Sequence, residues 1–326
     1  MEKEFKTIEE QIDIIKQRNI IIKDTEFAKK IFKENNYYYL INGYKEVFLD
    51  KNQKGEFFKQ NVTIEEIYAL YKFDIELRMN FLKAILSVER RMDTYIAYEF
   101  SKQYGYKNYL LEENFNNTTK NSLKIAKLIN EIQTDMMTQL NTGNRMLNHY
   151  MKKYGYVPLW VLIRIITFGQ ISKFYGLMKQ KDENIIAKNF GIKEKTLKIY
   201  INNLAIVRNI CAHDEKLFDI RLRKAIAITD LHNKFNLRLK DGVYCNGFKD
   251  LFSVVIILNK LLDNKEFEKF YNRLISDLEE LKKEIKSIAF SDILDVMGFP
   301  KKYGKIWYMW SQIVTAYQEK DNVEYG

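Results

Sequence analysis

Cysteine, histidine, proline and glycine are all scarce in this chain of 326 residues. The two cysteines, Cys211 and Cys245, form no C-x-x-C pair. That excludes a disulfide-dense scaffold, argues against a structural zinc site and fits a reducing cytoplasm. The three histidines, His149, His213 and His232, are scattered, so neither a metal nor another cofactor is expected. Two prolines and thirteen glycines leave few chain breakers, which favours long helices over a strand-and-turn protein. Long apolar runs are missing too. The longest are 157–168, interrupted by Arg164, and 252–262, interrupted by Asn259 and Lys260. Both are too short to span a bilayer, and Met1-Glu-Lys-Glu does not open a signal peptide.

What the chain does have is positive charge and aromatic bulk. Fifty-three Lys and Arg face 43 Asp and Glu, a net charge of +10, and 14% of the residues are aromatic. A basic balance of this size suits a polyanion, either nucleic acid or an anionic membrane surface. A basic surface with no such partner has the same composition. No stretch joins a strong amphipathic pattern to a clean lysine face, so nucleic acid ranks above membrane.

The most informative stretch is 207–218, V-R-N-I-C-A-H-D-E-K-L-F. It continues the apolar-periodic segment 199–206, so it belongs to a helix. At 100° per residue, with Leu204 at zero, Val207, Ile210, Cys211 and Ile206 gather on one apolar face. Arg208, Asn209 and His213 fall at about 40°, 140° and 180° on the opposite arc. Asn209 and His213 are i, i+4 neighbours. A guanidinium clamps a phosphate through parallel donors, and an imidazole moves protons near neutral pH. Asn209 can orient the imidazole or bind substrate. A packed or capping histidine is the plainer reading of the same spacing.

The segment R-N-I-C-A-H-D-E-K-L-F resembles the signature of bacterial abortive-infection proteins of the AbiD and AbiF kind. Those proteins resemble HEPN-type ribonucleases, whose hallmark is R-x(4–6)-H with a polar residue after the arginine. Arg208, Asn209 and His213 match that hallmark. Lys216 stands where many relatives carry arginine, which weakens a bidentate phosphate contact there. The resemblance runs from about residue 6 to 310 in five ordered blocks. They include N-Y-Y-Y-L-I-N-G-Y at 36–44, Y-K-F-D-I-E-L-R at 71–78 with V-E-R-R-M-D-T-Y-I-A at 88–97, and V-P-L-W-V-L-I-R at 157–164. The closing block is M-G-F-P-K-K-Y-G-K-I-W at 297–307, with Tyr303 where tryptophan is frequent.

In chain order, T-I-E-E at Thr7 is a capping box, and two helices are expected over 6–34 with a break near Asn19. The tyrosines at 37–39 could stack bases, although core packing is the better reading. A small β-hairpin is expected over 45–62, its tip carrying Lys51 and Lys54 with Lys59 following. A basic tip is a candidate phosphate contact, and a solvated loop is equally consistent. Thr63 opens a second capping box and a long helix striped by Ile67, Leu70, Phe73, Leu77, Phe81, Ile85 and Val88. A connector is expected over 105–130, then a helix to about Leu147. The span 157–175 reads as one apolar helix holding Arg164. An arginine so placed must be paired, with Glu76 or Glu89, or face a cleft as a second phosphate ligand. Arg221, Arg223 and Lys224 extend a basic run beyond the arc, and two helices are expected over 249–284.

These readings give an all-α fold: a HEPN-like helical bundle over 63–326, with a helical N-terminal extension over 1–62 that includes the hairpin. The resemblance implies a metal-independent endoribonuclease acting in phage defence or as a toxin. Its catalytic residues would be Arg208, Asn209 and His213. The RNA contacts would be Lys51, Lys54, Lys59, Arg164, Lys216, Arg221 and Arg223. It also implies control by a structured small RNA and an active homodimer, because one arc supplies only one imidazole. Asn144 and Ala227 stand five residues before His149 and His232, so neither repeats the motif. A regulatory RNA-binding protein with a silent site is the alternative.

Overall fold

A computed structural model describes residues 4–300, apart from 235, 236, 238, 241 and 242. The closing block beyond Pro300, including Tyr303, lies outside the described residues. Fourteen α-helices follow one another within them. The first three are α1 (Ile8–Gln17), α2 (Thr25–Glu34) and α3 (Tyr37–Tyr44). Each begins where a side chain can satisfy free amides. Thr7 and Glu10 form the expected capping box, Asp24 accepts from the amides of Glu26 and Phe27, and Asn36 accepts from those of Tyr38 and Tyr39. The break after α1 falls at Asn19, whose φ of 71° is the left-handed conformation that asparagine tolerates.

The scaffold is α4 (Ile64–Tyr104), 41 residues long, or about 60 Å at 1.5 Å per residue. Thr63 and Glu66 close its capping box, and Gly105 ends it at φ 87°. Its apolar stripe is buried as its spacing predicts: Ile67, Leu70, Leu77, Phe81, Ile85 and Val88 are all inaccessible. Then come α5 (Ser122–Asn141), α6 (Arg145–Tyr154), α7 (Leu159–Leu162), α8 (Phe168–Leu177), α9 (Gln180–Lys188) and α10 (Glu194–Ala212). The short α11 (Asp230–Lys234) precedes α12 (Leu251–Leu261), α13 (Asn264–Glu284) and α14 (Phe290–Met297). Both α13 and α10 pack along α4, and α10 also packs on α8. One contiguous apolar cluster extends from Ile12 to Phe299, so α1–α3 share a core with the rest.

Four local expectations need correction. The hairpin over 45–62 is a 3-10 turn at Lys45–Val47 and a single antiparallel bridge between Leu49 and Phe58. Phe48 and Phe58 are buried there, and Lys45 pairs with Glu56. A true two-stranded ladder lies instead at Leu239–Lys240 and Val243–Tyr244. The connector ends at Asn121, and the helix after it stops at Asn141 rather than Leu147, because Asn144 caps a separate α6. The span 157–175 is two helices. Thr167 and Gln170 form a capping box that starts α8, a signal present in T-F-G-Q. No helix among the described residues is long and apolar enough to cross a membrane.

Candidate active site

The residues 208, 209 and 213 lie at the C-terminal end of α10. Leu204, Val207 and Cys211 are buried on its inner face, Arg208 is half-buried, and Asn209 and His213 are exposed. His213 caps the helix, its amide donating to the Asn209 carbonyl at 3.0 Å. Asp214 then turns the chain at φ 57°, which ends the helix one residue after the imidazole.

Something must hold that turn, and it is a buried charge cluster on α4. The Asp74 carboxylate has no solvent exposure. It accepts from Tyr44 Oη at 2.8 Å, Arg78 Nη1 at 2.5 Å, the Phe218 amide at 2.7 Å and the Leu217 amide at 3.2 Å. Arg78 also pairs with the Asp214 carboxylate, and Tyr39 Oη donates to the Asp214 carbonyl at 2.6 Å. Burial pushes the Asp74 carboxyl up, and Arg78, Tyr44 and the two amides pull against it. Burial and the neighbouring Asp74 keep the Tyr44 phenol protonated. Tyr44 stacks on Phe218 at 5.7 Å and meets Tyr39 and Tyr71 edge-on. Tyr39 and Tyr44 thus form part of an aromatic floor beneath the motif, whereas Tyr37 packs edge-on against Phe32 and Tyr38 is 66% exposed.

A second cluster meets the arc from the same helix. Arg208 Nε lies 3.5 Å from Glu89 Oε2, and Arg164 Nη1 lies 3.7 Å from Asp93 Oδ2. These are ion pairs at long range. Arg208 Nε, Glu89 Oε2 and Asp93 Oδ1 are buried with no hydrogen-bond partner among the described residues. Burial raises the Glu89 carboxyl against the pull of Arg208. Burial and the Glu89 charge push Asp93 up to about 7, with Arg164 only partly opposing them. Such half-satisfied buried charge is costly in a purely structural role and is typical of functional sites.

The remaining residues singled out in sequence scatter more widely. Arg164 is exposed in the turn between α7 and α8, not buried in a helix, and it pairs with Asp93 rather than Glu76 or Glu89. Glu76 is taken by Arg273 at 3.0 Å. Lys216 is held by Asp219 at 2.6 Å and lies over the Phe218 ring. Lys59 reaches the Val47 carbonyl and Asp292, tying its loop to α14. Arg221 donates to the carbonyls of Ile220 and Val296. Lys51, Lys54 and Arg223 are exposed. Sequence reasoning missed Asp74, Arg78 and Asp93, and weighed Glu89 only as a partner for Arg164. Their signal was two charged pairs at i, i+4 beside an apolar stripe. Among the described residues no three His, Cys, Asp or Glu side chains gather as a metal set.

Fold and site therefore define an all-α protein whose longest helix braces an Arg–Asn–His arc at the end of a second helix. The family model described as "Abi-like protein" matches residues 30–219, more than half of the chain, and the chain belongs to that family. This membership supports a role in phage resistance. The matched span contains Asp74, Arg78, Glu89, Asp93, Arg164, Arg208, Asn209 and His213, and leaves out 6–29 and the closing block. No curated protein and no solved structure matches the chain.

Proposed function

We propose that this Abi-like protein is a phage-defence endoribonuclease of the HEPN type, controlled by a bound structured RNA. The observation that supports this best is the arc itself. Asn209 and His213 are exposed at a helix end, on the same arc as an arginine whose Nε has no hydrogen-bond partner among the described residues. In this reading the RNA 2′-OH attacks its own phosphorus, and the P–O5′ bond breaks. One imidazole removes the 2′ proton and another protonates the departing O5′. Arg208 balances the charge growing on the phosphorane oxygens, and Asn209 positions His213. The products are a 2′,3′-cyclic phosphate and a 5′-OH. The nucleophile belongs to the substrate, so activity is expected to survive EDTA. Two imidazoles imply two copies of α10 facing each other, hence a twofold homodimer.

A second reading keeps the same partner but a silent site. The Arg208–Glu89 ion pair favours it, since a phosphate must compete with Glu89 for the guanidinium. One experiment separates the two. Purified wild type, Arg208→Ala and His213→Ala are incubated with labelled RNA, and the 3′ ends are identified. The nuclease reading expects cyclic phosphate from wild type and a loss of about a hundredfold or more in each variant, with helical content unchanged. Wild-type rates in either folded variant would remove that residue from catalysis.

A further inference from the structure

A second concave site lies on the same helix, away from the arc. It is a cleft of about 480 Å³ between α5, α8 and α10. Six lysines line it, Lys120, Lys124, Lys127, Lys173, Lys198 and Lys224, against one carboxylate, Glu131. Lys173 is neutralised by Glu131 at 2.7 Å, and Lys198 by Glu183 at 3.1 Å. Gly176 makes room for Lys198: a Cβ there would lie 2.9 Å from its Cε, and the ammonium donates to the Gly176 carbonyl. Lys120, Lys124, Lys127 and Lys224 are exposed and have no carboxylate partner among the described residues. Lys224 is fixed to α10 through its carbonyl, which accepts from the buried Asn203 amide at 3.0 Å. Four uncompensated ammonium groups around one hollow is an arrangement that like-charge repulsion opposes, and a bound polyanion relieves it.

Cleft and arc lie on one stripe of α10. On the helical wheel Lys198 and Asn202 fall at about 120° and 160°, the stripe that carries Asn209 at about 140° and His213 at about 180°. Asn202, in the cleft lining, is about 16 Å along the helix axis from His213. A few nucleotides of extended strand cover that span. Among the described residues no aromatic side chain lines the cleft to stack a base. Its hollow shape and six ammonium groups also suit a chain of phosphates better than a lipid surface, which needs protruding apolar groups to insert.

We propose that this lysine cleft binds the phosphodiester backbone of single-stranded RNA and leads it along α10 to His213. The substrate class rests on the function proposed above; the location of the site does not. The test measures anisotropy of 5′-fluorescein-labelled oligouridylate and oligoadenylate over a series of KCl concentrations. The background is His213→Ala, so the probe stays intact. Lys120, Lys124, Lys127 and Lys224 are changed together to Gln. A charge-matched control changes Lys265, Lys269, Lys282 and Lys283, exposed on α13, in the same way. Each lost phosphate contact removes about 0.7 from the slope of log K against log salt. The cleft variant is therefore expected to lose about 3 from that slope, and at least tenfold in affinity at low salt, equally for both sequences. The control is expected to lose less than half as much. An unchanged slope in the cleft variant, or an equal loss in the control, overturns the proposal. So does a cleft variant that loses binding to phosphatidylserine vesicles while keeping RNA. If the cleft variant loses RNA as expected while wild type cleaves none, the cleft stands and the nuclease reading falls.

Discussion

Replacing Asp93 with Asn is expected to stabilise the protein, and only above a defined pH. Asp93 is 7% exposed, and its carboxyl is pushed from 3.8 up to about 7 by burial and by Glu89 one turn earlier. In the unfolded chain the same group ionises near its ordinary value. Between about pH 4 and pH 7 the folded protein thus holds a proton that the unfolded chain has released. Stability is full below that window, falls as pH rises through it, and is level above it. About three pH units at 1.36 kcal/mol each set an upper bound of about 4 kcal/mol. Asn is isosteric and never ionises. The variant should match wild type near pH 4 and exceed it by up to about 4 kcal/mol at pH 8. Urea unfolding followed by circular dichroism at fixed protein concentration reads this directly. Glu89→Gln removes the like charge, so it should shift the wild-type pH dependence to lower pH. Parallel stability curves for wild type and Asp93→Asn from pH 4 to 8 would refute the assignment of a buried, raised carboxyl.

Two further perturbations address the brace and the assembly. Asp74→Ala leaves the Leu217 and Phe218 amides without their acceptor and the buried Arg78 with Asp214 as its remaining partner, so a loss of about 2–4 kcal/mol is expected in the same unfolding assay. A loss under about 1 kcal/mol would show that Asp74 does not hold the motif turn. For the composite homodimer, light scattering and specific activity are followed together through a dilution series. Specific activity should fall as dimer gives way to monomer, and full activity from monomer alone would exclude a two-copy site.

Sequence legibility divided along a physical line. Helix starts were readable because caps are local: Thr7, Asp24 and Thr63 act where the pattern placed them. The Arg208–Asn209–His213 arc was readable because one helix carries all three residues, so spacing alone sets their relation. The interrupted apolar run at 157–175 misled, since apolar content hid the Thr167–Gln170 box and put Arg164 inside a helix it only follows. The four charges on α4 were hidden for a different reason. Asp74 meets Leu217 and Phe218 from 143 and 144 residues away, and no local pattern reports a partner at that distance.

Those four charges nonetheless share one geometry. Taking Asp74 as zero on α4, Arg78, Glu89 and Asp93 fall at about 40°, 60° and 100°, a narrow polar stripe on a helix whose neighbouring face is apolar. Arg78 reaches Asp214 and Glu89 reaches Arg208, so α10 runs against the direction of α4 with both ends of its motif pinned. An apolar seam alone is tolerant: sliding α10 by one turn, about 5.4 Å, exchanges one aliphatic contact for another. The charges are intolerant, because the same slip strips Asp74 of two backbone amides and parts Arg78 from Asp214 and Arg208 from Glu89. The stripe therefore fixes register where hydrophobic packing cannot. Register decides where the motif stands against Glu89 and Arg78. Of the buried charges on α4, Asp74 and Arg78 sit against the motif, while Glu66 near its start caps the helix and accepts from the Lys286 and Ser287 amides.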